Sequence, residues 1–272
     1  MNSPAPSSPA TRSRTLGAPA PPAEPQEPFI ITKEHRLFAE FCDSCRQARY
    51  IGICHGPPGV GKTLSARTYT QGLDMGLAPG FPIFYTPPVA NSARQIAKDI
   101  TRLREQGRYR RWVDHASDES PWVWPPRDRT ELIIVDEADR LKMPGLEQLR
   151  DIFDRGGIGL VLIGMAGLEK RLARYPQLYS RVGFVHAFRA LSPEEMHFIL
   201  KQKWAELGWT LRPDDFADAE AEAAIIRITE GNWRLLQRLW MQIERIMQIN
   251  SLQVITIRVV EAARENLVIG QN

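Results

Sequence analysis

Two short clusters in this sequence have the residue types and spacing to handle a nucleoside triphosphate. The first is Gly56-Pro57-Pro58-Gly59-Val60-Gly61-Lys62-Thr63, followed by Leu64. Its glycines let backbone N–H groups turn inward around phosphate oxygens, and Lys62 has the length to reach the β- and γ-phosphates. The Thr63 hydroxyl suits a magnesium ion bridging those phosphates. The second cluster is Asp136-Glu137, directly after the apolar run Leu132-Ile133-Ile134-Val135. Asp136 is placed to support the magnesium, and Glu137 to orient and polarise the attacking water. Together they imply ATP and Mg²⁺ binding and ATP hydrolysis.

Chemistry of this kind needs a strand to carry each cluster to one edge of a sheet. Five short apolar runs meet that need: Tyr50 to Cys54, Pro82 to Tyr85, Leu132 to Val135, Ile158 to Ile163 and Phe184 to Phe188. Stretches of helical periodicity separate most of them. Ile96, Ile100 and Leu103 form one such stripe, behind a capping box of Ser92 and Gln95. Leu146, Leu149, Ile152 and Phe153 form another. A further helix is expected from Lys33 to Ala48, with Leu37, Phe38 and Phe41 on its apolar side. Continuous apolar strands alternating with helices predict a parallel sheet covered on both faces.

The strands stop after Ala190. Ser192-Pro193-Glu194-Glu195 combines an N-cap, a first-turn proline and a capping glutamate, and the remainder reads as a small helical bundle. Trp204, Trp233 and Trp240 fall within its core pattern. The expected division is a Pro/Ser/Ala-rich disordered tail over 1–28, a nucleotide-binding domain over 29–190 and a helical lid over 191–272. Arg12 and Arg14 in the tail read as part of a solubilising arm.

The whole chain narrows the field further. Its 272 residues are 43% hydrophobic and 25% charged, with a net charge of +3, the balance of an ordinary globular protein. No run approaches the ~20 apolar residues of a membrane span, and the first thirty residues lack a secretory signal core, which points to the cytoplasm. Cys42 and Cys45 form a C-x-x-C, but no second ligand pair stands at zinc spacing, so the two thiols are read as neighbours on one helical face.

Several features resemble the AAA+ ATPases: the adjacent acids Asp136-Glu137, the helical bundle after the sheet, and Gly231-Asn232-Trp233-Arg234, similar to the sensor-two region. The resemblance implies that Arg234 touches the γ-phosphate. It also implies an arginine finger acting on a neighbouring subunit's site, with Arg181 in Tyr179-Ser180-Arg181-Val182-Gly183 as the candidate and Arg171 and Arg174 as rivals. The run from Leu132 to Lys142, with Leu149-Arg150-Asp151-Ile152, Val161-Leu162-Ile163-Gly164 and Leu178-Tyr179-Ser180-Arg181, is similar to the TniB/TnsC group of transposition ATPases, relatives of MuB. That resemblance spans roughly residues 30–270. It implies an ATP-dependent regulator that self-assembles into a ring or helix on target DNA and recruits or activates a DDE-type transposase, with a target-selection protein as a further partner. Such relatives place a polar sensor-one residue where this chain has Gly164-Met165-Ala166. A thioether cannot position a water, so slow, regulatory turnover is expected.

The most basic stretch runs from Arg102 to Trp112, with five arginines against one glutamate. Arg104, Arg108, Arg110 and Arg111 are the candidate contacts to duplex DNA, with Tyr109 and Trp112 beside the sugars. The competing reading is a solvated helix end balanced by Asp114, Asp118 and Glu119. The sequence is expected to end with the lid, without a winged-helix domain, so contact would be to backbone with little base readout. A different class of function also fits: an AAA+ loader or remodelling ATPase acting on a protein partner.

Overall fold

A computed structural model describes residues 29–74, 81–115, 128–212, 214–265 and 267, with the side chains of 73, 74 and 109–115 excepted. The expected tail over 1–28, with Arg12 and Arg14, lies outside the described residues, as do Asp118 and Glu119.

The element order follows the apolar runs closely. Helix α1 (Lys33–Ala48) leads into β1 (Ile51–His55), then α2 (Lys62–Asp74), β2 (Phe81–Tyr85), α3 (Ala93–His115) and β3 (Thr130–Val135). A 3₁₀ turn (Ala138–Arg140), α4 (Met143–Gly156), β4 (Gly159–Gly164), α5 (Leu168–Leu172), α6 (Pro176–Tyr179) and β5 (Val182–Ala187) complete the sheet region. The strands form one parallel sheet in the order β2-β3-β4-β1-β5.

The pleat sorts each central strand's side chains onto two faces. Ile51, Ile53, Ile133, Val135, Leu160 and Leu162 meet α3 and α4 through Ile96, Ile100, Leu146 and Leu149. The alternate residues Leu132, Ile134, Val161 and Ile163 meet α1 and α2 through Phe38, Phe41, Ala66 and Tyr69. Both faces are therefore covered for the central strands, as a continuous apolar run requires. Edge strand β5 departs from that expectation: Val182, Phe184 and His186 are half-buried while Gly183, Val185 and Ala187 are exposed. Its apolar run conceals a one-faced strand.

Caps set the helix starts. The Thr32 hydroxyl caps α1 by accepting from the His35 N–H at 3.1 Å. At α3 only half of the expected capping box forms. Ser92 Oγ accepts from the Gln95 N–H, but the Gln95 amide turns forward to Asp99 at 2.9 Å instead of back to the cap. The box at Ser192 and Glu195 is complete. It opens α7 (Pro193–Glu206), followed by α8 (Phe216–Thr229), α9 (Trp233–Ile249) and α10 (Ile257–Glu265). These helices enclose their own core, with Trp204 and Trp240 at 5.1 Å between ring centroids.

Cys42, Cys45 and Cys54 are free thiols buried between α1 and the sheet, and burial pushes the Cys45 thiol up to about 12. Among the described residues no group of three or more His, Cys, Asp or Glu side chains is placed to hold a metal, and no helix is long and apolar enough to cross a membrane.

The C-terminal end of α1 presses on β4 at Gly159, where an added Cβ would stand 2.6 Å from the Cys45 carbonyl oxygen. Backbone cannot yield as a side chain would. Gly159→Ala is expected to destabilise the fold by about 1–3 kcal/mol, the usual cost of overpacking, measurable as a lower urea midpoint at unchanged slope.

Candidate nucleotide site

Three neighbouring strand ends build the site. β1 delivers the glycine loop, β3 the acidic pair, and β4, lying between them, ends at Gly164 and Met165. Crevices at the carboxyl ends of such strands are where open α/β sheets bind ligands. The resulting cleft, about 460 Å³, is lined by Lys62, Thr63, Asp136, Glu137, Met165 and Arg234 among others.

The loop can turn only because its glycines lack a Cβ. At Gly56 a Cβ would lie 2.3 Å from the Phe188 carbonyl oxygen, and Gly59 and Gly61 adopt φ of +81° and +109°. The Lys62 ammonium folds onto the loop, donating to the carbonyls of Gly56 at 2.7 Å and Pro57 at 2.6 Å. Burial holds its pKa below the ordinary lysine range. The Thr63 hydroxyl donates to Asp136 Oδ2 at 2.7 Å, which brings the two expected magnesium-side oxygens together. Asp136 is itself fixed: its N–H donates to the Tyr85 carbonyl at 2.8 Å, and its Oδ1 accepts from the Glu137 N–H at 2.9 Å.

Glu137 sits in the left-handed region at φ +52°, a conformation that costs a non-glycine residue energy and aims this side chain at the cleft. Its carboxylate pairs with Arg140 at 2.6 Å, and Arg140 also donates to the Pro87 carbonyl at 3.1 Å. Asp139, one turn further on, accepts from the Met165 N–H at 2.7 Å and lines the same cleft. The 44%-exposed Met165 side chain offers no hydrogen-bonding group at the β4 end beyond its thioether, but Asp139 places a carboxylate beside it.

The helical region docks directly on the loop. Asn232, the N-cap of α9, donates from Nδ2 to the Pro58 carbonyl at 3.0 Å, and the Arg234 N–H donates to the Gly59 carbonyl at 2.9 Å. The exposed Arg234 side chain lines the cleft. Trp233, read from sequence as core, packs only partly into the helical core and also lines the cleft. Beside it a second, narrow cleft is lined by Phe29, Ile30, Thr32, Glu34, Val60 and Trp233, among others.

Sequence reasoning missed Arg140, Asp139, Asn232 and Glu34. The Gly-Asn-Trp run carried a cap signal for Asn232; for Glu34 no local signal exists.

The three candidate fingers differ sharply. Arg181 grips Asp154 with two hydrogen bonds, Nε to Oδ1 at 2.5 Å and Nη2 to Oδ2 at 2.9 Å, and this holds the Asp154 carboxyl below its usual range. Arg171 donates to the carbonyls of Asp139 and Leu141, bracing the turn that follows β3. It is committed to its own chain. Arg174 is exposed, with no ion pair among the described residues.

The basic stretch lies along α3. Arg104, one of the expected DNA contacts, is 23% exposed and pairs with Asp128 at 3.2 Å. Arg108 is half-buried, while the side chains of Arg110, Arg111, Tyr109, Trp112 and Asp114 lie outside the described residues.

Comparison with known proteins agrees with this geometry. The AAA domain family matches residues 45–172, the interval holding both clusters and β1 to β4. A Staphylococcus aureus protein described as a potential ATP-binding protein is 46% identical over 264 residues, 89% of this chain and 97% of the relative. The chain is an AAA ATPase. The ATPase is also 26% identical over 168 residues to the Mu-like prophage FluMu DNA transposition protein B of Haemophilus influenzae, a match taking in 57% of this chain and 54% of that protein. Two solved structures share its fold. The Thermotoga maritima RuvB Holliday junction branch migration motor has a TM-score of 0.59 at 18% identity, over 87% of this chain and 69% of that one. The Aeropyrum pernix ORC2 protein has a TM-score of 0.61 at 19% identity, over 88% and 68%.

Lys62→Ala removes the cation nearest the phosphate loop. ATP affinity of the ATPase is expected to fall at least about 100-fold, the scale of a buried charge pair losing one partner, while the thermal unfolding midpoint without nucleotide stays close to wild type. Titration of ATP against both proteins checks this.

Proposed function

We propose that this ATPase is a cytoplasmic regulator of DNA transposition, assembling with ATP on duplex DNA and acting on a DDE-type transposase, with hydrolysis resetting the assembly. The observation that carries the reading is the similarity to a DNA transposition protein B across 57% of the chain, joined to a complete triphosphate site. In this reading residues 29–190 form the nucleotide-binding domain, 191–272 the lid and 1–28 a tail.

Thr63 and Asp136 fit Mg²⁺: both offer oxygen, and they already lie within hydrogen-bond distance. With no larger acidic or imidazole cluster among the described residues, phosphate oxygens and water would complete the shell. When bound, the ion neutralises charge on the β- and γ-phosphates. Lys62 exchanges its carbonyl partners for phosphate oxygens. Glu137, released from Arg140, takes the proton of the attacking water, and Arg234 meets the γ-phosphate from the lid side. Arg181 acts across a subunit interface after leaving Asp154. Met165 leaves the β4 end without a water-positioning hydroxyl or amide, and turnover is slow.

Glu137→Gln keeps the shape of the cleft but abolishes the base. ATP affinity should stay within a few-fold of wild type while hydrolysis falls about 10²- to 10⁴-fold. Single-turnover assays with saturating ATP measure the second effect and titration the first.

For DNA, Arg108, Arg110 and Arg111 remain as the backbone-tracking candidates. Replacing all three with Ala should weaken binding equally on two unrelated duplexes, with ATP present. Each phosphate contact contributes about −0.9 to the slope of log affinity against log salt, so the slope should flatten by roughly 2–3 units per bound subunit. An unchanged slope returns these arginines to a solvated helix end. Electron-microscopic imaging with ATP, with and without duplex, tests the assembly itself. Fast turnover driven by a protein partner, without DNA binding, would instead favour a loader or remodelling ATPase.

A further inference from the structure

A water molecule attacking the γ-phosphorus must turn a lone pair toward it, which leaves both protons pointing away. Two acceptors are therefore needed behind the water, and a single base accounts for one of them. Three carboxylates line the cleft among the described residues: Asp136, Glu137 and Asp139. Asp136 is committed at both oxygens, Oδ2 accepting from the Thr63 hydroxyl and Oδ1 from the Glu137 N–H. Met165, at the neighbouring strand end, brings a thioether, too weak an acceptor to hold a water.

Asp139 is committed at one oxygen. Its Oδ2 accepts from the Met165 N–H at 2.7 Å, while its other carboxylate oxygen has no hydrogen-bond partner among the described residues. The side chain is also held in place. Arg171 Nη1 donates to the Asp139 carbonyl at 2.9 Å, and the turn closes through the Leu141 N–H to the Ala138 carbonyl at 3.1 Å. Across from it Gly164 makes room, since an added Cβ there would lie 2.4 Å from Asp139 Oδ2. Burial lowers the Lys62 pKa and Asp139 is among the charges that oppose it, so its field reaches the phosphate end of the cleft. A bracing role alone would explain the contact with Met165, but a neutral amide would brace as well. It does not explain a negative charge kept beside a triphosphate, where like charges repel.

We propose that Asp139 is the second acceptor for the attacking water, its free carboxylate oxygen holding one proton while Glu137 removes the other. The proposal rests on the reading of Glu137 as the base. In the step, the water oxygen bonds to the γ-phosphorus as the bond from that phosphorus to the β–γ bridging oxygen breaks. Glu137 receives one proton, the other stays on the oxygen that joins the phosphate, and ADP leaves with the bridging oxygen. An ionised carboxylate accepts but cannot donate, so Asp139 orients the water without stabilising charge on the γ-phosphate as a polar donor at the β4 end would. Slow turnover is in keeping with that division.

Two variants of the full chain separate orientation from bracing. Asp139→Asn keeps an oxygen for the Met165 N–H but turns an N–H₂ toward the water, a donor where an acceptor is required. Gly164→Ala leaves the carboxylate chemically unchanged and displaces it, because the added methyl meets the movable end of that side chain. In single-turnover assays with saturating ATP, each should hydrolyse about 10- to 100-fold more slowly, the scale of a misplaced reactant. ATP affinity by titration should stay within about threefold of wild type, or rise in Asp139→Asn, which removes a negative charge near the triphosphate. Thermal unfolding midpoints check the fold, and if one variant fails to fold the other decides. Wild-type turnover in Asp139→Asn assigns the residue to bracing the β4 end and overturns the proposal, as does wild-type turnover in Gly164→Ala. A fall in ATP affinity as large as the fall in rate assigns Asp139 to the shape of the nucleotide site and overturns it too. Glu137→Gln, run alongside, tests the base separately: wild-type turnover there removes the base and the two-acceptor arrangement with it. Loss of turnover in Glu137→Gln beside an unaffected Asp139→Asn overturns the second acceptor and leaves the base standing.

Discussion

The hydrogen bond from the Thr63 hydroxyl to the Asp136 carboxylate joins two parts of the chain that the sheet keeps apart. Strands β1 and β3 never pair, because β4 lies between them. The loop after β1 and the acid after β3 must therefore lean over the end of β4 to meet. That geometry makes the β4 terminus part of the site and explains its crowding. At Gly164 a side chain would collide with the Asp139 carboxylate at 2.4 Å. The site is thus a bridge over one strand end, and its precision depends on the sheet register beneath it.

Register in turn rests on the two-sided burial of β1, β3 and β4. A slip by one residue would exchange the face that meets α1 and α2 for the face that meets α3 and α4. Both faces are apolar here, so hydrophobicity alone does not forbid a slip. Close contacts supply the missing constraint: Gly159 admits the Cys45 carbonyl, and Gly52 lies where a Cβ would strike Cys45 Sγ at 2.4 Å. These glycines fix the height at which the α1 helix crosses the strands. The C-x-x-C motif therefore has a steric role, with Cys45 wedged against the sheet.

The elements and their order were legible in the sequence because continuous apolar runs and period-3.6 stripes are local signals. So was the pairing of a glycine loop with an acidic strand end, since each chemistry demands a short contiguous motif. What remained hidden depends on distant partners. Nothing near Arg104 announces Asp128, and nothing near Arg181 announces Asp154; an ion pair between separate segments leaves no spacing to read. Likewise Glu34 looks like any acidic residue in a first helical turn until β5 brings His186 beside it. The half-formed box at Ser92 failed for the opposite reason, because Asp99 outbid the cap locally.

The contact between Asn232 and the phosphate loop has a thermodynamic consequence. Asn232 Oδ1 caps α9 by accepting from the Leu235 N–H at 3.2 Å, while its Nδ2 holds the Pro58 carbonyl. One amide thus serves helix stability with one end and loop shape with the other. Any nucleotide whose affinity depends on loop shape must, by reciprocity, alter the stability of the helix in the same measure. The helical region should then open and close as a separate cooperative unit whose opening free energy tracks nucleotide saturation. Hydrogen exchange in α9 would read the state of the phosphate site from outside it.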